Sequence, residues 1–158
     1  MIFPARRPTS AARPGGANCD IGAFEYVVYT LAYTAGANGT ISGTSPQTFE
    51  HGADDTAVEA VPNTGYHFVQ WSDDSTVNPR TDTNVTANVS VTAEFAINTY
   101  TLTYTAGEHG TISGTTPQTV EHGSNGTTVE AVPNANYHFT QWSDGVMTAS
   151  RTDTNVTA

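Results

Sequence analysis

An internal repeat constrains this chain more than any other feature. Residues 29–87 return 71 positions later as residues 100–158, without a gap, and 41 of the 59 aligned positions are identical. Self-similarity at a fixed spacing indicates that one structural unit is used more than once. The 158-residue chain is therefore predicted to form two small tandem modules, copy 1 at residues 29–98 and copy 2 at residues 99–158.

The densest apolar segment of each copy predicts the position of its core. In copy 1 a run at residues 58–61 precedes the turn signal Pro62-Asn63, and an aromatic-rich segment at residues 66–71 follows it. Aromatic and β-branched residues favour strands, whereas Pro and Asn favour turns. We predict that these two strands pair as a hairpin at the centre of each module.

The remaining patterns predict an all-β fold. Apolar and polar residues alternate with a period of two, which is typical of half-buried strands. The predicted strands of copy 1 cover residues 29–34, 40–42, 47–50, 56–61, 66–71 and 88–95. Because Pro46 precedes it, the strand at 47–50 is expected at a sheet edge, and the polar residues 72–87 are expected to form a loop across the module. The inward-facing side chains of the last strand are predicted to be Val89, Val91, Ala93 and Phe95.

The sequence also makes predictions about the linker between the copies and about the end of copy 2. Residues 96–99 form a linker too short for free movement, so neighbouring modules are predicted to make a stiff rod. Copy 2 has no counterpart of residues 88–95, and it lacks three large inward side chains worth about 1.5–3 kcal/mol each when buried. Copy 2 is therefore predicted to be less stable than copy 1 and to leave a sheet edge open to another chain.

Residues 1–28 are predicted to be an irregular segment that ends a preceding domain. The first 18 residues are rich in Pro, Ala, Gly and Arg and lack apolar periodicity. A secretory signal needs an apolar run of about 7 residues or more, and only Ile2-Phe3 comes close to one, so if the protein is exported its signal is expected upstream of this sequence. The string GANCDIGAFE at residues 16–25 resembles the closing segment of parallel β-helix domains in bacterial surface proteins.

Composition excludes several classes of partner. The chain has a formal net charge of -10 and no lysine. The residues from Phe24 onward include fourteen carboxylates and only two arginines. This balance argues against binding to nucleic acid or to anionic membranes. No stretch approaches the roughly 18 apolar residues of a membrane helix, so no membrane insertion is expected. Cys19 is the single cysteine and cannot form an intrachain disulfide.

The sequence predicts neither catalysis nor a cofactor. His51 and His67, repeated as His122 and His138, are sixteen residues apart and match no compact zinc motif. Acidic loops such as Asp54-Asp55 leave weak Ca²⁺ association open beside a purely solubilising role, although the EF-hand spacing is missing. No nucleophile elbow or phosphate-binding loop is present. Catalytic, cofactor-binding and metal residues are all predicted to be none.

The aromatic residues leave two interpretations. Trp71 with Tyr66, and Trp142 with Tyr137, either fill the small cores or form a platform on which a sugar ring stacks. The first interpretation is favoured because a module of this size has few other residues with as much apolar area. Arg80 and Arg151 are predicted either to pair with a nearby carboxylate such as Asp82 or Asp153 or to hold the crossing loop in place.

These motifs resemble a known family. The pattern YTLxYTAGxxGTISG, followed by VEAxPNxxYxFxxWSD and the closing VTAxF, is similar to the divergent InlB B-repeat, also called the Listeria-Bacteroides repeat. The resemblance implies a β-rich, β-grasp-like module in tandem arrays on secreted or surface-attached bacterial proteins. It further implies a non-catalytic stalk, spacer or adhesion array outside the cell, with neighbouring modules and the preceding β-helix as partners. The alternative is a carbohydrate- or protein-binding module that uses exposed aromatics or a sheet edge on a host or glycan surface.

Overall fold

The computed structural model describes residues 27–158. The predicted β-helix tail and Cys19 lie outside this range. The described residues form eleven strands and no helix, which confirms the all-β prediction. The strands of copy 1 are β1 (Val28–Ala35), β2 (Gly39–Ser42), β3 (Gln47–Glu50), β4 (Glu59–Pro62), β5 (Tyr66–Trp71) and β6 (Val89–Ile97). Those of copy 2 are β7 (Thr99–Leu102), β8 (Gly110–Ser113), β9 (Gln118–Glu121), β10 (Val129–Pro133) and β11 (Ser150–Arg151).

Copy 1 is organised by a mixed four-stranded sheet with the order β3-β1-β6-β5. The two central strands, β1 and β6, run parallel, and the outer strands pair antiparallel to them. β3 lies at an edge, as predicted. A separate antiparallel ribbon of β2 and β4 packs Ile41 and Ala60 against the same core. The parallel pair is possible because more than fifty residues of intervening chain cross between the two strands.

The predicted central hairpin is wrong. β4 and β5 are consecutive in the chain, but β4 pairs with β2 and β5 pairs with β6. The turn between them is bound to the turn between β1 and β2, because the Asn63 amide donates a hydrogen bond to the Asn38 carbonyl at 2.9 Å. The two strands therefore separate into different sheets after Pro62, which has no amide proton to give to a ladder.

The last strand of copy 1 is longer than predicted and faces the core as predicted. Val91 and Ala93 of β6 are buried, and Val89 and Phe95 pack against the same cluster. The strand continues to Ile97, which pairs with Tyr66, and β7 begins at Thr99. The expected four-residue linker at residues 96–99 is thus reduced to one residue, Asn98.

The described residues of copy 2, up to Ala158, include no counterpart of β6, and the strands that would border it are shorter. β7 pairs with β9, and β11, β10 and β8 form a second small sheet. β7 ends at Leu102, whereas its counterpart β1 continues for four further residues beside β6. Residues 137–142, the counterpart of β5, form no strand. Strand structure is therefore missing where β6 supplies the hydrogen bonds in copy 1.

Candidate functional site

Trp71 occupies the centre of the copy 1 core. Its side chain is 0% exposed, and its ring meets those of Tyr33 and Phe68 at centroid distances of 5.9 and 5.7 Å. The indole Nε1 donates to the carbonyl of Val77 at 3.0 Å, which fastens the loop after β5. A buried indole with a partner for its N–H is a stable core element.

Arg80 holds the crossing loop of copy 1 against these rings. Its guanidinium lies 5.7 Å from the Trp71 ring centroid and 6.0 Å from that of Tyr33. The same group donates to both oxygens of Asp82, each at 2.8 Å, and to Asp73 at 2.9 Å. The predicted pairing with Asp82 is confirmed. The guanidinium binds both carboxylate oxygens, and this bidentate geometry is the stronger form of an arginine–carboxylate pair.

A tyrosine hydroxyl completes this network. The Tyr33 hydroxyl contacts a carboxylate oxygen of Asp82 at 2.7 Å and another of Asp55. Burial, followed by these two hydrogen bonds, raises the pKa of Tyr33. Burial also works against ionisation of Asp82, but the hydrogen bonds from Arg80 and Tyr33 outweigh it and lower its pKa. The network therefore favours a neutral tyrosine and an ionised aspartate.

Copy 2 repeats the network in reduced form. Arg151 pairs with Asp153 and Asp144 and lies 5.7 Å from the Trp142 ring centroid. The Tyr104 hydroxyl donates to Asp153 at 2.7 Å, and burial together with this bond raises the pKa of Tyr104 to about 12. Gly126 stands in place of Asp55, so the second carboxylate at the tyrosine is lost. The predicted Arg151–Asp153 pair is confirmed.

Sequence reasoning missed the roles of Tyr33, Asp73 and Asp55. For the first two a signal existed, because Tyr33 and Asp73 reappear as Tyr104 and Asp144 while other acidic positions change between copies. For Asp55 the repeat gives no such signal. Its contact with Tyr33 depends on a fold that brings together residues twenty-two positions apart.

The network holds the crossing loop against the core of the module. Within residues 27–158, every buried side-chain nitrogen or oxygen has a hydrogen-bond partner. Both carboxylates beside Arg80, those of Asp73 and Asp82, pair with its guanidinium. In the same range, no three His, Cys, Asp or Glu side chains are grouped so as to hold a metal ion.

The four aromatic residues of the predicted platform do not share one surface. Trp71 is fully buried and Trp142 is 9% exposed, whereas Tyr66 is partly buried in β5. Tyr137 is 51% exposed and stacks on His109, with ring centroids 4.1 Å apart and an interplanar angle of 11°. The structure thus places both tryptophans in the cores and one tyrosine at the surface.

The junction of the two copies is centred on Asn98. Its amide donates to the Gly65 carbonyl at 2.8 Å, and its carbonyl accepts from the His122 amide at 2.8 Å. The Asn98 side chain contacts Nδ1 of His67, also at 2.8 Å. A Cβ on Gly65 would lie 2.4 Å from the His122 ring, so the glycine permits close contact of the copies. Two of the four repeated histidines thus lie at this joint: His67 contacts Asn98, and His122 packs on copy 1.

Together, the repeated sheets and loop networks define an all-β tandem repeat protein. A family model described as "Divergent InlB B-repeat domain" matches residues 29–99 and, a second time, residues 100–158. These matches cover most of the chain, so it belongs to the divergent InlB B-repeat domain family, as the motif resemblance predicted. No curated protein and no solved structure matches the chain. In the described part, no helix is long and apolar enough to span a membrane.

Proposed function

We propose that this chain is a non-catalytic spacer segment of a bacterial secreted or surface protein. Its two copies serve as part of an extracellular stalk or adhesion array, and residues 1–28 end a preceding β-helix domain. The observation that carries the proposal is the direct joint at Asn98, which bonds copy 1 through Gly65 and copy 2 through His122. A joint of one residue bonded on both sides transmits orientation from one module to the next.

The carboxylates support the same role. Arginine and tyrosine engage the acidic groups of the core in each copy, so these groups stabilise the fold. The net charge of -10 keeps an exposed repeat soluble and discourages association with anionic surfaces. Such a module needs only to fold and to hold its neighbour.

The end-to-end distance of the chain tests the spacer role. Dyes at both ends of residues 27–158 are expected to give one narrow distance distribution by single-molecule energy transfer. A Gly/Ser linker of equal length provides the flexible reference, and four glycines inserted after Asn98 should broaden the distribution. If the distance distribution of the unmodified chain is as broad as that of the Gly/Ser reference, the chain does not act as a spacer.

The second candidate is carbohydrate or protein binding through an exposed aromatic. The specific observation is the Tyr137–His109 stack, which offers a flat surface at a half-exposed tyrosine. Glycan-array binding that disappears in Tyr137→Ala, with Tyr66→Ala as the matched variant in copy 1, would favour this function. Absence of binding by the unmodified two-copy chain would count against it.

A further inference from the structure

The chain contains two Asn-Gly pairs, and each is followed by threonine. They are Asn38-Gly39-Thr40 in copy 1 and Asn125-Gly126-Thr127 in copy 2. An asparagine that precedes glycine loses its side-chain amide readily, because glycine has no Cβ to hinder attack by its own backbone nitrogen. The two tripeptides are identical, so a difference in their reactivity must come from the fold.

The pair in copy 2 is held at both of its reacting groups. The Oδ1 atom of Asn125 accepts a hydrogen bond from the Asn155 amide at 2.8 Å. The Gly126 amide donates to the Asp153 carbonyl, also at 2.8 Å. The counterpart residues 54–55 make the same two bonds in copy 1, so this arrangement belongs to the module itself. Ring closure between the side chain and the glycine nitrogen requires both bonds to break first.

The pair in copy 1 lies in the exposed turn between β1 and β2. Asparagine side chains make hydrogen bonds at four positions within residues 27–158, and Asn38 is not one of them. Gly39 lies opposite Pro62, and the adjacent bond joins the Asn63 amide to the Asn38 carbonyl. In an antiparallel ladder this places the Gly39 amide on the side away from β4. Neither reacting group is therefore held as it is in copy 2.

The fold explains why copy 1 keeps this reactive pair. Asn38 has φ 70, a conformation that asparagine tolerates better than most residues. A Cβ on Gly39 would lie 2.3 Å from the Phe95 ring, so the next position requires glycine. Copy 2 has His109 with φ 68 at the counterpart of Asn38. The turn itself can thus form around a residue that has no side-chain amide.

We propose that Asn38-Gly39 is a site of spontaneous modification in the folded protein. The Gly39 nitrogen attacks the side-chain carbonyl carbon of Asn38 and forms a new C–N bond. The side-chain amide nitrogen leaves as ammonia and takes the proton of the Gly39 nitrogen, which gives a cyclic imide. Water then opens the imide at one of its two carbonyl carbons. The products carry aspartate or isoaspartate at position 38.

Isoaspartate changes the contact between two turns of copy 1. Its main chain runs through the former side-chain carbon, and the former main-chain carbonyl becomes a free carboxylate. In the unmodified protein this carbonyl accepts the bond from Asn63, whose own carbonyl accepts from the Tyr66 amide at 3.0 Å. The added main-chain methylene shifts the acceptor away from this position. We therefore expect the turn at residues 63–66, which includes Gly65, to loosen in the modified chain.

Peptide mass spectrometry of the 158-residue chain tests the proposal. After incubation at mildly alkaline pH, the folded chain should lose ammonia at Asn38 at least about tenfold faster than at Asn125, because local structure protects the second site. In concentrated urea the two sites should react at nearly equal rates, since their tripeptides are the same. Asn38→His carries the residue that copy 2 has in this turn, so it should fold and show no reaction there.

A second measurement follows the consequence for the turns. The isoaspartate fraction, separated by chromatography, should show faster hydrogen exchange at the Asn63 amide than the unmodified fraction. The buried Val91 amide region of β6 should exchange at the same rate in both fractions.

Three results would overturn the proposal. The first is an equal rate of reaction at Asn38 and Asn125 in the folded chain. The second is reaction at Asn38 in urea but not in the folded chain. The third is unchanged exchange at Asn63 in the isoaspartate fraction. Each result reports on chemistry at one turn, so it leaves the spacer role to be decided separately by the end-to-end distance.

Discussion

Arg80 makes three side-chain hydrogen bonds in copy 1, two to Asp82 and one to Asp73. It touches two rings and two carboxylates from a loop that has little regular structure of its own. Its short-range partner Asp82, two positions away, is predictable from the sequence. Its contacts with Asp73 and with the rings are set by the course of the whole crossing loop, which local patterns do not specify.

The lowered pKa of Asp82 makes copy 1 sensitive to acid. Because the folded state favours the ionised form, the stabilisation is present above the unfolded pKa of about 4 and is lost as the pH falls through the folded value. Asp82→Asn should lower stability at pH 7 by about 2 kcal/mol, less than for a fully buried pair because Asp82 is partly exposed. It should also flatten the decline in melting temperature between pH 5 and 3 in calorimetry.

The exposed Glu59 supplies the control for this measurement. Glu59→Gln removes a carboxylate from β4 that faces solvent, so it should leave both the melting temperature and its acid dependence nearly unchanged. If Glu59→Gln and Asp82→Asn gave the same pH profile, the Arg80 network would not be the source of the acid sensitivity.

Gly65 is predicted to be a residue of the joint as well as of a turn. It has φ +83, and its counterpart Asn136 adopts φ 70, so asparagine suits this backbone conformation. Gly65→Asn therefore preserves the turn but places a Cβ against the His122 ring. The expected cost is about 1–3 kcal/mol of unfolding free energy, measured by denaturant titration.

A double-mutant cycle separates the joint from the turn. In the His122→Ala background the ring is absent, so Gly65→Asn should cost little. Equal destabilisation in both backgrounds would show that the turn alone, and not the contact between copies, requires glycine at this position.

At the scale of strands, periodicity predicted the elements but not their partners. The inward alternation of β6 and the edge position of β3 were both predictable, since they depend on neighbouring residues. The pairing of β4 with β2 and the parallel pairing of β1 with β6 were not predicted. Such pairings depend on contacts between residues that are distant in the sequence. Two consecutive strands joined by a turn have the same sequence pattern whether or not they pair with each other.

The absence of a β6 counterpart should leave the aromatic segment of copy 2 weakly protected. Residues 66–71 and 137–142 differ only at Val69 and Thr140, so their intrinsic exchange rates are nearly equal. The first segment is paired to β6 and the second forms no strand. Hydrogen exchange followed by mass spectrometry should therefore be markedly faster at 137–142, and equal protection of the two segments would contradict the structure.

Adding a β6 sequence after Ala158 should stabilise copy 2. Ala158 is the counterpart of Ala87, so residues 88–97 appended directly after it reproduce the connection seen in copy 1. Burying three large apolar side chains should raise the unfolding free energy of copy 2 by about 5 kcal/mol. Denaturant titration followed by exchange at residues 137–142 measures this gain. An appended segment with Val91→Asp in the added strand should lose most of it.

At the scale of the whole molecule, one residue, Asn98, joins the two copies and is hydrogen-bonded to both. The strands on either side of Asn98 belong to different sheets, yet they are separated by that residue alone. The repeat itself was readable from the sequence, whereas the length of the joint was not, because Ile97 gains its strand structure from Tyr66 across the sheet. One β module thus occurs twice, and we expect the joint at Asn98 to hold its two copies in a fixed orientation.

Residual dipolar couplings of backbone amides test this claim most directly. Couplings from residues 28–97 and from residues 99–133 are each fitted to an alignment tensor in the same weakly aligned sample. Both sets are expected to fit one tensor in magnitude and direction, and four glycines inserted after Asn98 should give the two sets different tensors. Two different tensors in the unmodified chain would show that the copies move independently and would contradict a fixed orientation.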